Sequence, residues 1–140
     1  MNLQEQLSMG IRVAVVAHIG VFDRGGKPYI LHPLHLMNQL LFDPELACIA
    51  VMHDVIEDSG FTIEMLEDMG FSTRVLVALE LLTHIKGESY GDYIDGMRNN
   101  YDAIRVKRKD LQHNSDITRL KDLTAKSEAR IVKYHWAFTK

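Results

Sequence analysis

The 140 residues contain a single cysteine. Cys48 has no partner in the chain, which excludes a disulfide scaffold and fits a reducing, cytoplasmic setting. Within the apolar stretch LACIAVM it reads as a small buried hydrophobe. Long apolar runs are missing too: the longest is broken by His53, well short of the roughly 20 residues of a membrane span. The opening MNLQEQLSMGIR lacks the basic-then-apolar order of a secretory leader, so none is expected. Nor is there an excess of positive charge. The 16 basic and 19 acidic side chains leave a net charge of −3, so neither nucleic acid nor acidic lipid is an expected partner. An anionic ligand must be held by a local device.

What is present is the composition of an ordinary globular chain, 46% hydrophobic and 25% charged. Its length suits one domain. Helical spacing dominates. Leu3, Leu7, Ile11, Val15 and Ile19 mark a first helix, which Ala14 and Ala17 allow to pack closely. Gly25, Gly26 and Pro28 then make a loop of VFDRGGKPYI, and Pro33 sits in the first turn of a helix running through Leu41. Asp43 caps a helix that starts at Pro44 and carries LACIAVMHDVIED to Ser59.

Thr62 caps IEMLEDM, and Ser72 caps TRVLVALELLTHI. In GESYGDYIDGMRNN three glycines weaken a helix whose face would hold Tyr90, Tyr93, Ile94 and Met97. Further helices are expected from Asp102 to Leu120 and from Thr124 through His135. Without convincing strands or repeats, the expected fold class is all-α, a compact helical bundle.

The stretch MHDVIEDSG places two imidazole or carboxylate groups directly after an apolar helix and two more acids just beyond. On a helix, residues four apart share a stripe, which aligns His53 with Glu57, Asp54 with Asp58, and Asp110 with Asn114. His32 opens the short helix after the glycine loop. Taken alone, His53–Asp54 is a solvated or capping pair, Asp110 among Lys107, Arg108 and Lys109 is a surface ion pair, and His32 before proline is an N-cap. Taken together, His32, His53, Asp54 and Asp110 supply two nitrogens and two oxygens to one divalent ion. A set with hard oxygens and no thiolate suits Mn²⁺, Fe²⁺ or Co²⁺, with Mg²⁺ and Zn²⁺ as further options. Such an ion activates water and polarises a phosphoryl oxygen. Glu57, Asp58 and Asn114, one turn beyond, are placed to handle protons and position water or the leaving group.

GGKPYILHP, AVMHDVIEDSGFT and VKRKDLQHNSD stand in this order over roughly residues 10 to 120. In them the chain resembles the HD-domain phosphohydrolases, and within these the hydrolase domains that remove pyrophosphate from guanosine tetraphosphate and pentaphosphate alarmones. The resemblance implies an all-α bundle with its active site in a cleft. It implies metal ligation, usually of manganese, by His32, His53, Asp54 and Asp110, an acidic pair at Glu57 and Asp58, and a polar site residue at Asn114. The whole chain, 1–140, then reads as one HD phosphohydrolase domain similar to the small stand-alone hydrolases, with no room for a synthetase.

The chain departs from the family in two places. Where alarmone hydrolases carry an Arg-Lys-Ser run, it has Asp23, Arg24 and Gly25, removing contacts expected to base and phosphates. Lys109 replaces a small residue before the late aspartate. Candidate substrate contacts are Arg24, Lys27, Tyr29, Lys107 and Lys109. His18 in AHIG reads as structural, and Trp136 with Tyr134 and Phe138 covers a packing face or a homo-oligomer contact. Three functions remain open: hydrolysis of the 3′-pyrophosphate of an alarmone, phosphohydrolysis of another nucleotide, and a non-catalytic nucleotide-binding module.

Overall fold

Asn2, Asp43, Thr62, Ser72, Ser89 and Asn100 each accept a hydrogen bond from the backbone N–H three residues on, and each opens a helix. The protein, seen as a computed structural model, is described at residues 1–115 and at Val132, Lys133 and Trp136. Its helices there are α1 (Leu3–Ala17), α2 (Leu31–Asn38), α3 (Pro44–Met52), α4 (Val55–Asp58), α5 (Ile63–Asp68), α6 (Thr73–Leu82), α7 (Tyr90–Asp95) and α8 (Tyr101–Asn114). Among the described residues no strand forms. One isolated bridge, Phe22 to Pro28, closes the glycine loop. The all-α expectation therefore holds. Leu120, Thr124, Tyr134, His135 and Phe138, and the helix expected through them, lie outside the described residues.

Helix α3 is the centre of the core. Leu46 through Met52 are all 0% exposed, and α1, α2, α6 and α8 pack around them. Cys48 sits there as a buried thiol, its pKa pushed up to about 12 chiefly by burial. Helix α1 meets α3 at Gly10, where an added Cβ would lie 2.7 Å from Cys48 Sγ, so the close approach requires glycine.

The expected stripe on α1 is corrected. The buried face is Gln6, Leu7, Gly10, Val13 and Ala14, while Leu3, Val15 and Ile19 are exposed. Spacing of four residues advances about 400°, so each step drifts about 40° and the series winds off the core face.

Two further boundaries differ. Helix α2 stops at Asn38 instead of Leu41, because Asp43 must turn to an extended conformation to cap α3 ahead of Pro44. The helix expected from Pro44 to Ser59 is broken at His53 and Asp54. Ala50 O, which in a continuing helix would accept Asp54 N–H, instead accepts from the His53 ring Nδ1 at 2.7 Å and from His53 N–H at 3.5 Å. The side chain has displaced the helical bond.

Arg74 ties the starts of α3 and α8 together. Its guanidinium reaches Asp43 Oδ2 at 2.7 Å and Glu45 Oε1 at 3.3 Å at the start of α3, and Asp102 Oδ2 at 2.8 Å at the start of α8. Arg74 holds the Asp43 and Asp102 carboxyls below their usual range. Depressed carboxylates add stability above the unfolded pKa of about 3.9 and lose it as pH falls through the folded values. Arg74→Met is therefore expected to cost about 1–2 kcal/mol at pH 7. Thermal melting of variant and wild type should converge in acid, and an equal gap at pH 7 and at about pH 2.5 would refute the assignment.

Candidate metal centre

Three chain segments deliver the donors. The loop before α2 folds on itself: Asp23 Oδ1 accepts Lys27 N–H at 2.9 Å, Asp23 N–H donates to Lys27 O at 2.8 Å, and Gly26 takes φ +86° at the tip. It leads into His32, buried in the first turn of α2. His53 follows the apolar helix α3, and Asp110 lies on the inner face of α8. One ring nitrogen from each histidine and one oxygen of Asp110 lie within 4.8 Å of one another, all from buried residues.

Asp110 is the most heavily bonded member. Its Oδ1 is 2.8 Å from His32 Nε2 and accepts Asn114 Nδ2–H at 2.8 Å, and its Oδ2 accepts from Lys107 Nζ at 2.9 Å. Burial alone would raise this carboxyl, but Lys107 and His53 hold it well below the usual range. His53 Nε2 lies 3.0 Å from Asp54 Oδ2 and 3.5 Å from Asp110 Oδ1, yet it has no aligned hydrogen bond. Burial would lower the pKa of this ring. Asp54 and Asp110 overcome that and hold it well above the usual value. The surrounding carboxylates thus favour a positive charge at this position. Because Nδ1 is already committed to Ala50 O, loss of a proton from Nε2 would leave its lone pair facing the cluster.

These observations fit a divalent ion. His32 Nδ1 is 2.7 Å from His113 Nδ1, so a proton held there frees Nε2 for an ion. Asp54 stands beside the trio through His53, and its Oδ2 also accepts the Tyr29 hydroxyl. Imidazole nitrogens with carboxylate oxygens suit a transition-metal ion better than a thiolate-type structural zinc site.

A cavity of about 250 Å³ opens from the cluster. Asp54, Glu57, Asp58, Asp110 and Asn114 line it, with Tyr29, Lys107, His84, Tyr90, Tyr93 and Lys133. The Asp58 carboxyl is pushed up to about 6 by burial and by the charges of Asp54 and Glu57. Glu57 is partly committed, since its Oε1 accepts the His84 backbone N–H at 2.8 Å. Arg24 and Lys27 are exposed and do not line the cavity. Lys109 lines a second cavity with His35, Gln39, Gln112 and His113.

Some neighbours escape sequence reasoning. His113 stacks between His32 and His35, with ring centroids 5.0 and 4.0 Å away. No spacing rule links residues 81 positions apart, the separation of His32 and His113. Tyr90 and Tyr93 carried a signal as one helical face, whereas Lys133 carried none. His18 is buried beside Tyr29, with neither ring nitrogen hydrogen-bonded.

Comparison with known proteins adds kinship and fold. No family model matches the chain. It is 33% identical over 115 residues to a guanosine-3′,5′-bis(diphosphate) 3′-pyrophosphohydrolase of Haemophilus influenzae, covering 73% of this chain and 17% of that protein. It is 32% identical over 113 residues to a probable GTP pyrophosphokinase of Mycobacterium leprae, covering 73% of this chain and 14% of that one. The chain therefore spans about a sixth of the curated relatives it matches. A solved structure described as a metazoan ortholog of SpoT that hydrolyses ppGpp has the same fold. Its TM-score is 0.76 at 18% identity, with 95% of this chain and 83% of that one covered. The resemblance read from the motifs thus extends to overall sequence and to the fold. No described helix is long and apolar enough to cross a membrane.

Two measurements check the centre. Metal binding should displace the His53 proton, so Mn²⁺ affinity by calorimetry rises with pH and His53→Ala weakens it by at least about 100-fold. A pH-independent affinity would refute this. Asp58, raised above its unfolded value, favours folding fully below about pH 4, and that contribution is lost as pH rises through about 6. Asp58→Asn should therefore melt a few degrees higher than the metal-free wild type at pH 7 and show no difference below about pH 4.

Proposed function

We propose that this protein is a divalent-metal-dependent phosphohydrolase that removes the 3′-pyrophosphate of a guanosine tetraphosphate- or pentaphosphate-like nucleotide. One observation carries the reading: His32, His53 and Asp110 converge, with Asp54 beside them, next to a cavity that also holds the raised carboxyl of Asp58. The names of the relatives divide between pyrophosphohydrolase and pyrophosphokinase, and the chain covers too little of either for a name to decide. The donor set supports the hydrolase, and so does the fold shared with a protein described as hydrolysing ppGpp.

His32, His53, Asp54 and Asp110 would hold the ion, with Mn²⁺ as our assignment and Fe²⁺ or Co²⁺ as the nearest substitutes. When bound, such an ion polarises a phosphoryl oxygen and makes water a stronger nucleophile. Asp58, a carboxylate on the cavity wall close to Asp54, is placed to take the proton from the attacking water. Glu57 keeps the second acidic position while bracing the chain at His84. Asn114 and Lys107 hold Asp110 in place from either side in sequence. One domain suffices for all of these roles.

A second reading keeps the chemistry and changes the nucleotide. It is favoured by Asp23, whose carboxylate closes its own loop where alarmone hydrolases have arginine. A Mn²⁺-supplemented panel of guanosine tetraphosphate, ordinary nucleotides and deoxynucleotides separates the two. We expect pyrophosphate release from the tetraphosphate, reduced at least about 100-fold in Asp54→Ala. Turnover confined to nucleotides without a 3′-diphosphate would establish the second reading. An unchanged rate in Asp54→Ala would remove the assigned centre altogether. Metal binding without turnover of any nucleotide would mark a non-catalytic binding module.

A further inference from the structure

The cavity needs groups to hold a polyanion, and its own carboxylates oppose one. Of the lysines on its wall, Lys107 is engaged with Asp110 at 2.9 Å and lies over the Tyr93 ring at 5.1 Å. The glycine-loop cations Arg24 and Lys27 do not line it. What remains is the wall made by α7 and Lys133.

On that wall two tyrosines one turn apart behave differently. Tyr93 is buried, and its hydroxyl donates to Leu82 O at 2.7 Å, which fixes it as part of the fold. Tyr90 also lines the cavity, but its hydroxyl is buried and has no hydrogen-bond partner among the described residues. A buried hydroxyl without a partner is uncommon, and on the cavity wall it is a donor available to a ligand. Burial raises the pKa of this phenol, so it stays a donor. Lys133 Nζ lies 4.3 Å over the Tyr90 ring and lines the same cavity. That ammonium covers the ring face, leaving it closed to a stacked base. A phenol donor with an ammonium beside it matches a phosphoryl oxygen.

We propose that Tyr90 and Lys133 form the phosphoryl-binding wall of the site, the Tyr90 hydroxyl donating to a non-reacting phosphoryl oxygen while Lys133 neutralises it. Substrate selection then rests on Tyr90 and Lys133 and not on the glycine loop. This rests on the phosphohydrolase reading above.

The test uses the full Mn²⁺-loaded chain with Tyr90→Phe, Lys133→Gln and the double variant Arg24→Ala/Lys27→Ala. Steady-state kinetics on guanosine tetraphosphate are paired with calorimetric titration of methylenebisphosphonate, a diphosphate mimic that is not hydrolysed. Tyr90→Phe keeps the ring and should raise both KM and the mimic's Kd on the order of tenfold, with kcat within about twofold. Lys133→Gln should weaken both as well, by a factor that shrinks as salt is added. The loop double variant should stay within about twofold. Wild-type KM and Kd in Tyr90→Phe, or a larger loss in the loop variant, would overturn the proposal. If the wild type hydrolyses no nucleotide, the functional reading fails and the mimic alone decides. Unaltered mimic binding in Tyr90→Phe, or none by the wild type, then counts against the wall.

Discussion

A carboxylate buried to 4% exposure must be compensated on every side, and Asp110 is that carboxylate. Its partners come from three places: His32 at the start of α2, His53 after α3, and Lys107 and Asn114 on α8 itself. The two on α8 lie three residues before and four after, on the same helical face as Asp110. Satisfying one side chain therefore fixes where three helices meet. Tight packing then has to hold that meeting point still. Gly10 lets α1 close on α3, and Arg74 clamps the first turns of α3 and α8 through three acidic residues.

The acids around this point are not settled by protein groups alone. Asp54, Glu57 and Asp58 follow closely in sequence at and within the short helix α4, and burial together with the charges of Asp54 and Glu57 pushes the Asp58 carboxyl up to about 6. Asp54 and Asp110 raise the pKa of His53 against the effect of its own burial. Each is a local cost of the kind that clusters at working sites. A divalent cation in place of the His53 proton relieves both, since it adds positive charge where the carboxylates crowd. Folding energy and ligand binding are coupled at the same atoms.

How much of this was legible in the sequence depends on the range of the interaction. Asp43, Thr62 and Ser72 announce their helices because a cap acts over three residues. Ser89 caps α7 in the same way, but the glycines around it obscure the signal. The face of α1 was misplaced because a spacing of four drifts with each turn, which only a partner helix can arbitrate. The break at His53 was hidden because a side chain takes the place of a backbone bond. His32, His53 and Asp110 could be named from residue type and order, and the structure brings them together. His113 could not, since its contact with His32 bridges distant parts of the chain and carries no periodicity.

The same reasoning bears on the loop at Asp23. An arginine there could extend toward a bound anion, whereas Asp23 turns back to receive Lys27 N–H and closes the loop on itself. The loop closed in this way leads through Pro28 and Tyr29 into His32 while presenting no cation at position 23. With acids dominating the cavity wall, that loss has to be offset by the resident ion, by cations elsewhere on the wall, or by a less highly charged substrate. Lys107 cannot do so alone, because its ammonium already balances Asp110. The groups that would hold an ion, His32, His53 and Asp110, are buried on α2, after α3 and on α8, apart from the exposed Arg24 and Lys27 of the loop, so a change in the loop need not reach them.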